Sequence, residues 1–197
     1  MSRSPFHDLV VARTSVRRYD PGRPVGDGHL AAILEAARLA PSAENAQPWR
    51  FVVVRDPVVR ARLVAEAFAG IYLVSRRIDA PVFLALCGIH GAADLAARAA
   101  GHPSYTLTDC SIAGEHAVLA AAELGLGTCW IGMFSRRRAR RVLGIPAGVD
   151  VIALIALGWP AEPARAAPPA RGRRPLSAIA WLDAWGTPFP AGQSDGV

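Results

Sequence analysis

The chain has 197 residues, 52% apolar and 19% charged, enough for one buried core of ordinary domain size. No stretch approaches the roughly 20 apolar residues of a membrane span, and the opening residues lack the apolar run of a secretion signal, so a cytoplasmic protein without membrane contact is expected. The net charge of +6 comes from 22 basic residues that are all Arg, in a chain without Lys and rich in Ala, Gly and Pro, which marks compositional bias rather than a nucleic-acid patch. The densest run, Arg136 to Arg141, reads as a helix whose Val142 and Leu143 face inward, and no nucleic-acid partner is expected. Cys87, Cys110 and Cys129 form no C-x-x-C pair and have no His at ligand spacing, so they read as buried thiols in a reducing compartment, with no metal site.

Near the start, Arg13, Ser15 and Arg17 alternate. In an extended chain they leave on one side, and in a helix Arg13 and Arg17 share a face. Leu30, Ile33, Leu34 and Ala37 behind Asp27 predict a helix over 28–39, N-capped by Asp27 and stopped by Pro41. After the polar loop 42–47, WRFVVV predicts a strand over 49–54 and Val59, Leu63 and Ala67 a helix over 58–68. The run 81–87 is apolar on both faces, which places it centrally in a sheet covered by helices on each side. An Ala-rich helix is expected from Asp109 or Ser111 to Leu124, with Gly125 as C-cap. A short strand over 128–131, a helix capped by Ser135 and a buried strand over 151–158 complete a single domain, 1–160.

Residues 161–197 read as an extension of that domain. The Pro, Ala and Arg content of 159–175 predicts an extended path. Beyond it, Ser177 would cap a short helix carrying Ile179, Trp181, Leu182 and Trp185. Such an arm either folds back on its own domain or embraces a second subunit.

Two segments have the residue types of a ligand site. Arg13, Ser15 and Arg17 offer two fork-shaped cations and a hydroxyl to a phosphate, although compositional bias alone would also give an exposed arginine cluster. Pro41 and Pro48 bracket a loop that contains the chain's only Asn, Asn45, and one of its two Gln, Gln47. Amides donate and accept, which suits the uracil-like edge of a flavin; a loop that merely caps the next strand is the plainer alternative. Gly125 and Gly127 follow a helix and precede a strand, the reverse of a dinucleotide fingerprint, and read as a tight turn. Trp130 and Gly132 then end a strand where a flat ring could lie against backbone. No Walker loop, G-x-S-x-G elbow or H-E-x-x-H occurs, and His116 reads as a packed residue.

R-T-S-V-R-R-Y at 13–19, A-P-S-A-E-N-A-Q-P-W at 40–49 and E-L-G-L-G-T-C-W-I-G at 123–132 together resemble the nitroreductase-like FMN-dependent family, in order and spacing across nearly the whole chain. The resemblance implies an α+β three-layer sandwich around a mixed, largely antiparallel sheet, and a homodimer with flavin at the subunit interface reached by the C-terminal arm. It implies that Arg13, Thr14, Ser15 and Arg17, joined by Arg171 and Arg173, hold the FMN phosphate and ribityl side. Pro41, Ser42, Ala43, Asn45 and Gln47 would line the flavin from the partner subunit. Trp130, Ile131, Gly132 and Met133 would run along the isoalloxazine with a backbone N–H near N5. A further basic residue is Arg76 or Arg77. The implied activity is transfer of electrons from NADH or NADPH to a small acceptor such as a nitroaromatic or quinone, with no side chain needed as acid or base. Reductive dehalogenation, flavin breakdown and a non-catalytic flavin-binding module are the alternatives.

Overall fold

The computed structural model describes residues 4–162 and 172–189. Four strands form one sheet: β1 (Trp49–Val54), β2 (Val82–Ile89), β3 (Gly127–Ile131) and β4 (Val149–Gly158), in the order β1-β2-β4-β3. Every neighbouring pair is antiparallel. The sheet is largely antiparallel, as expected, and among the described residues its one parallel pairing is an isolated bridge, Ser15 to Thr128, at the β3 edge. The reason is topological. The last strand inserts between β2 and β3, so its partners on both sides run against it.

Period-two alternation along β2 explains the layers. Val82 and Leu84 meet α2 (Asp27–Arg38) and α5 (Tyr105–Glu123) through Leu30, Ile33, Ala117, Val118 and Ala121. Phe83 and Ala85 point the other way, into a cluster with Leu63, Phe68, Phe134 and Ala139, beneath α3 (Pro57–Ala67) and α6 (Arg136–Val142). This is the three-layer arrangement expected from a strand apolar on both faces.

Several boundaries differ from the sequence reading. Gly26, not Asp27, occupies the N-cap of α2, and the Asp27 carboxylate pairs with Arg55 instead. Helix α5 begins at Tyr105 because the Ser104 hydroxyl caps it, accepting the Leu107 N–H at 3.2 Å, so Asp109 and Ser111 lie within the helix. It ends with Gly125 at φ 79° and the Leu126 N–H on the Ala121 carbonyl at 2.8 Å, a Schellman closure. Ser135 caps α6 as expected. Two eight-residue helices, α1 (Pro5–Ala12) and α4 (Ala92–Ala99), and a 3-10 segment, Gly70–Arg77, had no counterpart in the sequence reading.

Ser177 lies inside a single 3-10 turn, Leu176–Ala178, that follows Pro175, rather than capping a helix. In this segment Trp181 and Trp185 stack on each other at 4.0 Å and a bridge joins Trp181 to Pro188. Trp185 stays 85% exposed, so the arm does not bury it on its own domain.

Candidate flavin site

Residues 13–20 run extended, which excludes the helical alternative for Arg13 and Arg17. The Val16 N–H donates to the Thr128 carbonyl at 2.8 Å, the Asp20 N–H to Trp159 at 2.9 Å, and the Ala161 N–H returns to Arg18 at 3.1 Å. The segment thus lines the free edge of β3 and crosses the end of β4. Gly127 makes the approach possible, since a Cβ there would lie 2.7 Å from Val16. The two glycines expected in one tight turn have separate roles, Gly125 closing the helix and Gly127 admitting the neighbouring chain.

Arg13 and Thr14 line a small recess beside Gly125–Thr128 and Pro160. Arg17 lines a different recess of about 430 Å³ together with Arg18, Arg60, Arg77 and Asp79. The expected convergence of Arg13 and Arg17 on one point is therefore spread over two adjoining recesses, with Ser15 exposed between them. This arrangement distinguishes Arg77 from Arg76: Arg77 shares the recess of Arg17, and Arg76 does not line it. Four guanidinium groups against one carboxylate give that recess a net positive charge that favours an anionic or electron-rich ligand. Beneath it, burial pushes the Tyr19 phenol far above its ordinary range, and its hydroxyl donates to the Val16 carbonyl at 2.7 Å. Arg173 is exposed on the 172–189 segment, and Arg171 lies outside the described residues.

The loop between α2 and β1 is shaped before any ligand arrives. A 3-10 turn, Ala43–Asn45, follows Ser42, and the Ser42 hydroxyl closes the loop by accepting the Gln47 N–H at 3.0 Å. Glu44, Asn45 and Gln47 all adopt positive φ, 52°, 54° and 45°. The Gln47 amide nitrogen donates to the Asn45 carbonyl at 3.2 Å and to its side-chain oxygen at 3.1 Å. Among the described residues the Asn45 amide N–H groups and the Gln47 side-chain oxygen have no partner, a donor beside an acceptor on an exposed loop. Pro41 is exposed, Ser42 and Ala43 are half-buried, and Pro48 and Trp49 are buried.

At the end of β3 the Trp130 ring turns toward α5. It packs over Gly114 of α5, where a Cβ would lie 2.3 Å from the ring, and its indole N–H donates to Glu115 at 3.3 Å. Trp130 is half-buried and Ile131 is buried. Gly132 and Met133 are exposed, and among the described residues neither N–H has a backbone acceptor outside the sheet ladder. The Met133 carbonyl is fixed by the Ser75 hydroxyl, which donates at 2.6 Å across 58 residues.

The two recognition segments occupy opposite edges of the sheet. The Ser42–Gln47 loop leads into β1, and Arg13–Arg17 runs outside β3, with β2 and β4 between them. At about 4.8 Å per strand the separation is roughly 15–20 Å.

Residues that the sequence reading did not single out complete the surroundings. Asp109 of α5 accepts the Ala43 N–H. His90 bridges Asp94, at 2.6 Å, and Asp150, at 2.9 Å. His116 packs as expected, with Nδ1 at 3.3 Å from the Ala36 carbonyl. Burial pushes the Cys87 thiol up to about 11 and that of Cys110 to about 12, so neither is a nucleophile at neutral pH. In α6, Arg136 donates to the Val151 carbonyl at 3.0 Å, Arg138 to that of Glu66 at 3.3 Å, and Arg141 pairs with the Glu66 carboxylate at 2.6 Å. Among the described residues no helix is long and apolar enough to cross a membrane.

The three-layer α+β sandwich is the fold of the nitroreductase-like oxidoreductases. Residues 10–159 match the family model described as the nitroreductase family, and the chain belongs to that family. A relative in Archaeoglobus fulgidus, provisionally named NADH dehydrogenase/NAD(P)H nitroreductase, is 35% identical over 159 residues, 78% of this chain and 84% of its own. A crystal structure of a nitroreductase family protein from Clostridium difficile 630 superposes with a TM-score of 0.73 at 27% identity, covering 90% of this chain and 97% of the other. A structure described as an FMN-dependent nitroreductase from Clostridium difficile R20291 gives a TM-score of 0.64 at 26% identity, over 85% and 96% of the two chains.

Proposed function

We propose that this chain is an FMN-dependent oxidoreductase that works as a cytoplasmic homodimer and moves electrons from NADH or NADPH to a small organic acceptor, a nitroaromatic or a quinone. Family membership supports the oxidoreductase class and the flavin. The observation that carries the reading is the Ser42–Gln47 loop, whose left-handed backbone holds a free donor and a free acceptor side by side. The residues present fit FMN: a mononucleotide asks for one phosphate site rather than a pyrophosphate fingerprint, and the arginine edge supplies it.

FMN held here would supply the redox chemistry between a nicotinamide donor and the acceptor. This chain's residues bind and orient. Arg13, with Arg171 and Arg173, neutralises the phosphate, while Thr14 and Ser15 add hydroxyl donors. Arg17 and Arg77 place positive charge at the pyrimidine edge, where it favours an electron-rich ring. The backbone N–H of Gly132 or Met133 would offer a donor to the ring, and Ser75 keeps that backbone in place through the Met133 carbonyl. Asn45 and Gln47 read the ring edge from the partner subunit, with Pro41, Ser42 and Ala43 beside them. The distance between the amide loop and the arginine edge within one subunit supports such sharing. The exposed Trp181–Trp185 arm supports a partner surface.

The test is anaerobic: protein loaded with FMN is mixed with NADH or NADPH and followed at the flavin's visible absorbance. Bleaching by a nicotinamide donor, reversed by a nitroaromatic or quinone, is the expected result. Loaded protein that neither donor bleaches refutes the activity.

A further inference from the structure

No glycine relieves the left-handed stretch of the amide loop, although Glu44, Asn45 and Gln47 all lie where a Cβ is unfavourable. Contacts must therefore hold it. The Ser42–Gln47 and Asn45–Gln47 hydrogen bonds are internal to the loop, and Arg50, just beyond it, donates to the Gln47 carbonyl at 3.1 Å. Among the described residues, the one side chain that hydrogen-bonds to it from another layer is that of Asp109, one turn into α5 and 66 residues away, whose two carboxylate oxygens lie 3.2 and 3.3 Å from the Ala43 nitrogen.

Asp109 is only 5% exposed. A carboxylate has about four acceptor sites, yet among the described residues both of its oxygens share this single backbone N–H. A buried charge with one neutral donor is a poor choice for stability alone, since a neutral side chain of the same size would cost less to bury. What the carboxylate does achieve is to anchor the first N–H of the turn, Ala43–Asn45, to a rigid helix instead of to its own flexible neighbours.

We propose that Asp109 is a positioning residue that presets the amide loop for the cofactor. It acts through Ala43, touching neither ring nor phosphate, and it couples α5 of one subunit to the flavin at the partner's arginine edge. The cofactor half of this inference rests on the FMN reading above; the loop half does not.

The test compares Asp109→Ala with Asp109→Asn in the full-length protein, reading FMN affinity by fluorescence quenching and amide hydrogen exchange at 43–48. Asp109→Asn keeps an acceptor for Ala43 without the charge. It is expected to hold FMN within about threefold of wild type, with a melting temperature of the flavin-free protein equal or higher. Asp109→Ala is expected to weaken FMN about tenfold and to lower protection at 43–48 while β2 and β4 stay protected. The inference is overturned if Asp109→Ala keeps wild-type affinity and loop protection, if its loss of protection spreads evenly through the sheet, or if Asp109→Asn binds as poorly as Asp109→Ala. Should Asp109→Ala fail to fold, the Asn variant decides: an affinity more than tenfold below wild type overturns the inference. A wild-type protein that ignores FMN defeats the cofactor reading instead, and the exchange comparison still decides whether Asp109 positions the loop.

Discussion

Val16 rests directly on Gly127, so closely that a Cβ on the glycine would lie 2.7 Å from both the Val16 Cβ and one of its methyl groups. This contact sets the distance between β3 and the arginine segment. Gly127→Ala is expected to destabilise the protein by about 1–3 kcal/mol through overpacking, and to weaken FMN by shifting Arg13 and Arg17 together. Urea denaturation and flavin titration measure the two effects. Val16→Ala in the same chain removes the two γ-methyl contacts and leaves the one to Cβ, so the double variant should recover part of both losses, a non-additive cycle. Strictly additive effects would show that the glycine does not act through Val16.

Arg76 and Arg77 are adjacent in sequence and both exposed, but only Arg77 lines the recess of Arg17. Arg77→Ala is expected to weaken FMN about tenfold, the order of a lost charge-assisted hydrogen bond, and Arg76→Ala to leave it within about twofold. Equal effects from the two substitutions would remove the distinction that the recess draws.

His90 gives the fold a pH dependence of its own. The hydrogen bond to Asp150 and then that to Asp94 raise its pKa above the ordinary imidazole value, against a small opposing effect of burial. For Asp94, burial pushes the carboxyl up, but the Thr106 N–H, His90 and the Ser104 hydroxyl outweigh it and hold the group at about 2. A raised imidazole stabilises the fold below its ordinary value and loses that contribution as pH rises through the folded-state value. A lowered carboxyl stabilises above its ordinary value and loses the contribution as pH falls toward 2. Arg98, Arg136 and Asp150 line the recess beside His90, so the imidazolium faces charges of both signs. Because Asp150 is exposed, the alkaline loss should stay under about 1 kcal/mol. Melting temperatures between pH 6 and 9 check this. His90→Gln should flatten the alkaline decline, and a variant that declines as steeply as wild type would place its cause elsewhere.

How much of this was legible in the sequence depended on the range of the interaction. β1 was placed at 49–54, and α2 and α3 within a residue or so, because their patterns are local and their ends carry caps or prolines. The loop 41–48 announced itself through the chain's only Asn and a neighbouring Gln between two prolines. Helices α1 and α4 span two turns each, too short for a period to register. The insertion of β4 between β2 and β3 leaves no local trace, and the strand order came only with the structure. The Trp130 ring was free to face either way until Gly114 on another element opened room for it. Ser75 and Asp109 act over 58 and 66 residues, and nothing in their own segments announces the backbone groups they meet. Arg77 separated from Arg76 only once the recess around Arg17 existed.

The separation of the amide loop from the arginine edge makes a prediction about assembly that neither half makes alone. If each flavin takes Arg13 and Arg17 from one subunit and Asn45 and Gln47 from the other, a subunit damaged at the arginines and a subunit damaged at the amides still build one intact site when they pair. Arg13→Ala with Arg17→Ala in one chain, and Asn45→Ala with Gln47→Ala in another, should each bind FMN weakly as homodimers. Co-expressed in equal amounts and pairing at random, half of the dimers are mixed, and each mixed dimer has one undamaged and one doubly damaged site. About one quarter of all sites should then bind FMN with wild-type affinity, a stoichiometry that flavin titration resolves from zero because stripping two cations costs far more than tenfold. A site built within one subunit predicts no recovery at any mixing ratio, so an absence of tight sites in isolated mixed dimers would rule out the shared arrangement even if each parent variant behaved as expected.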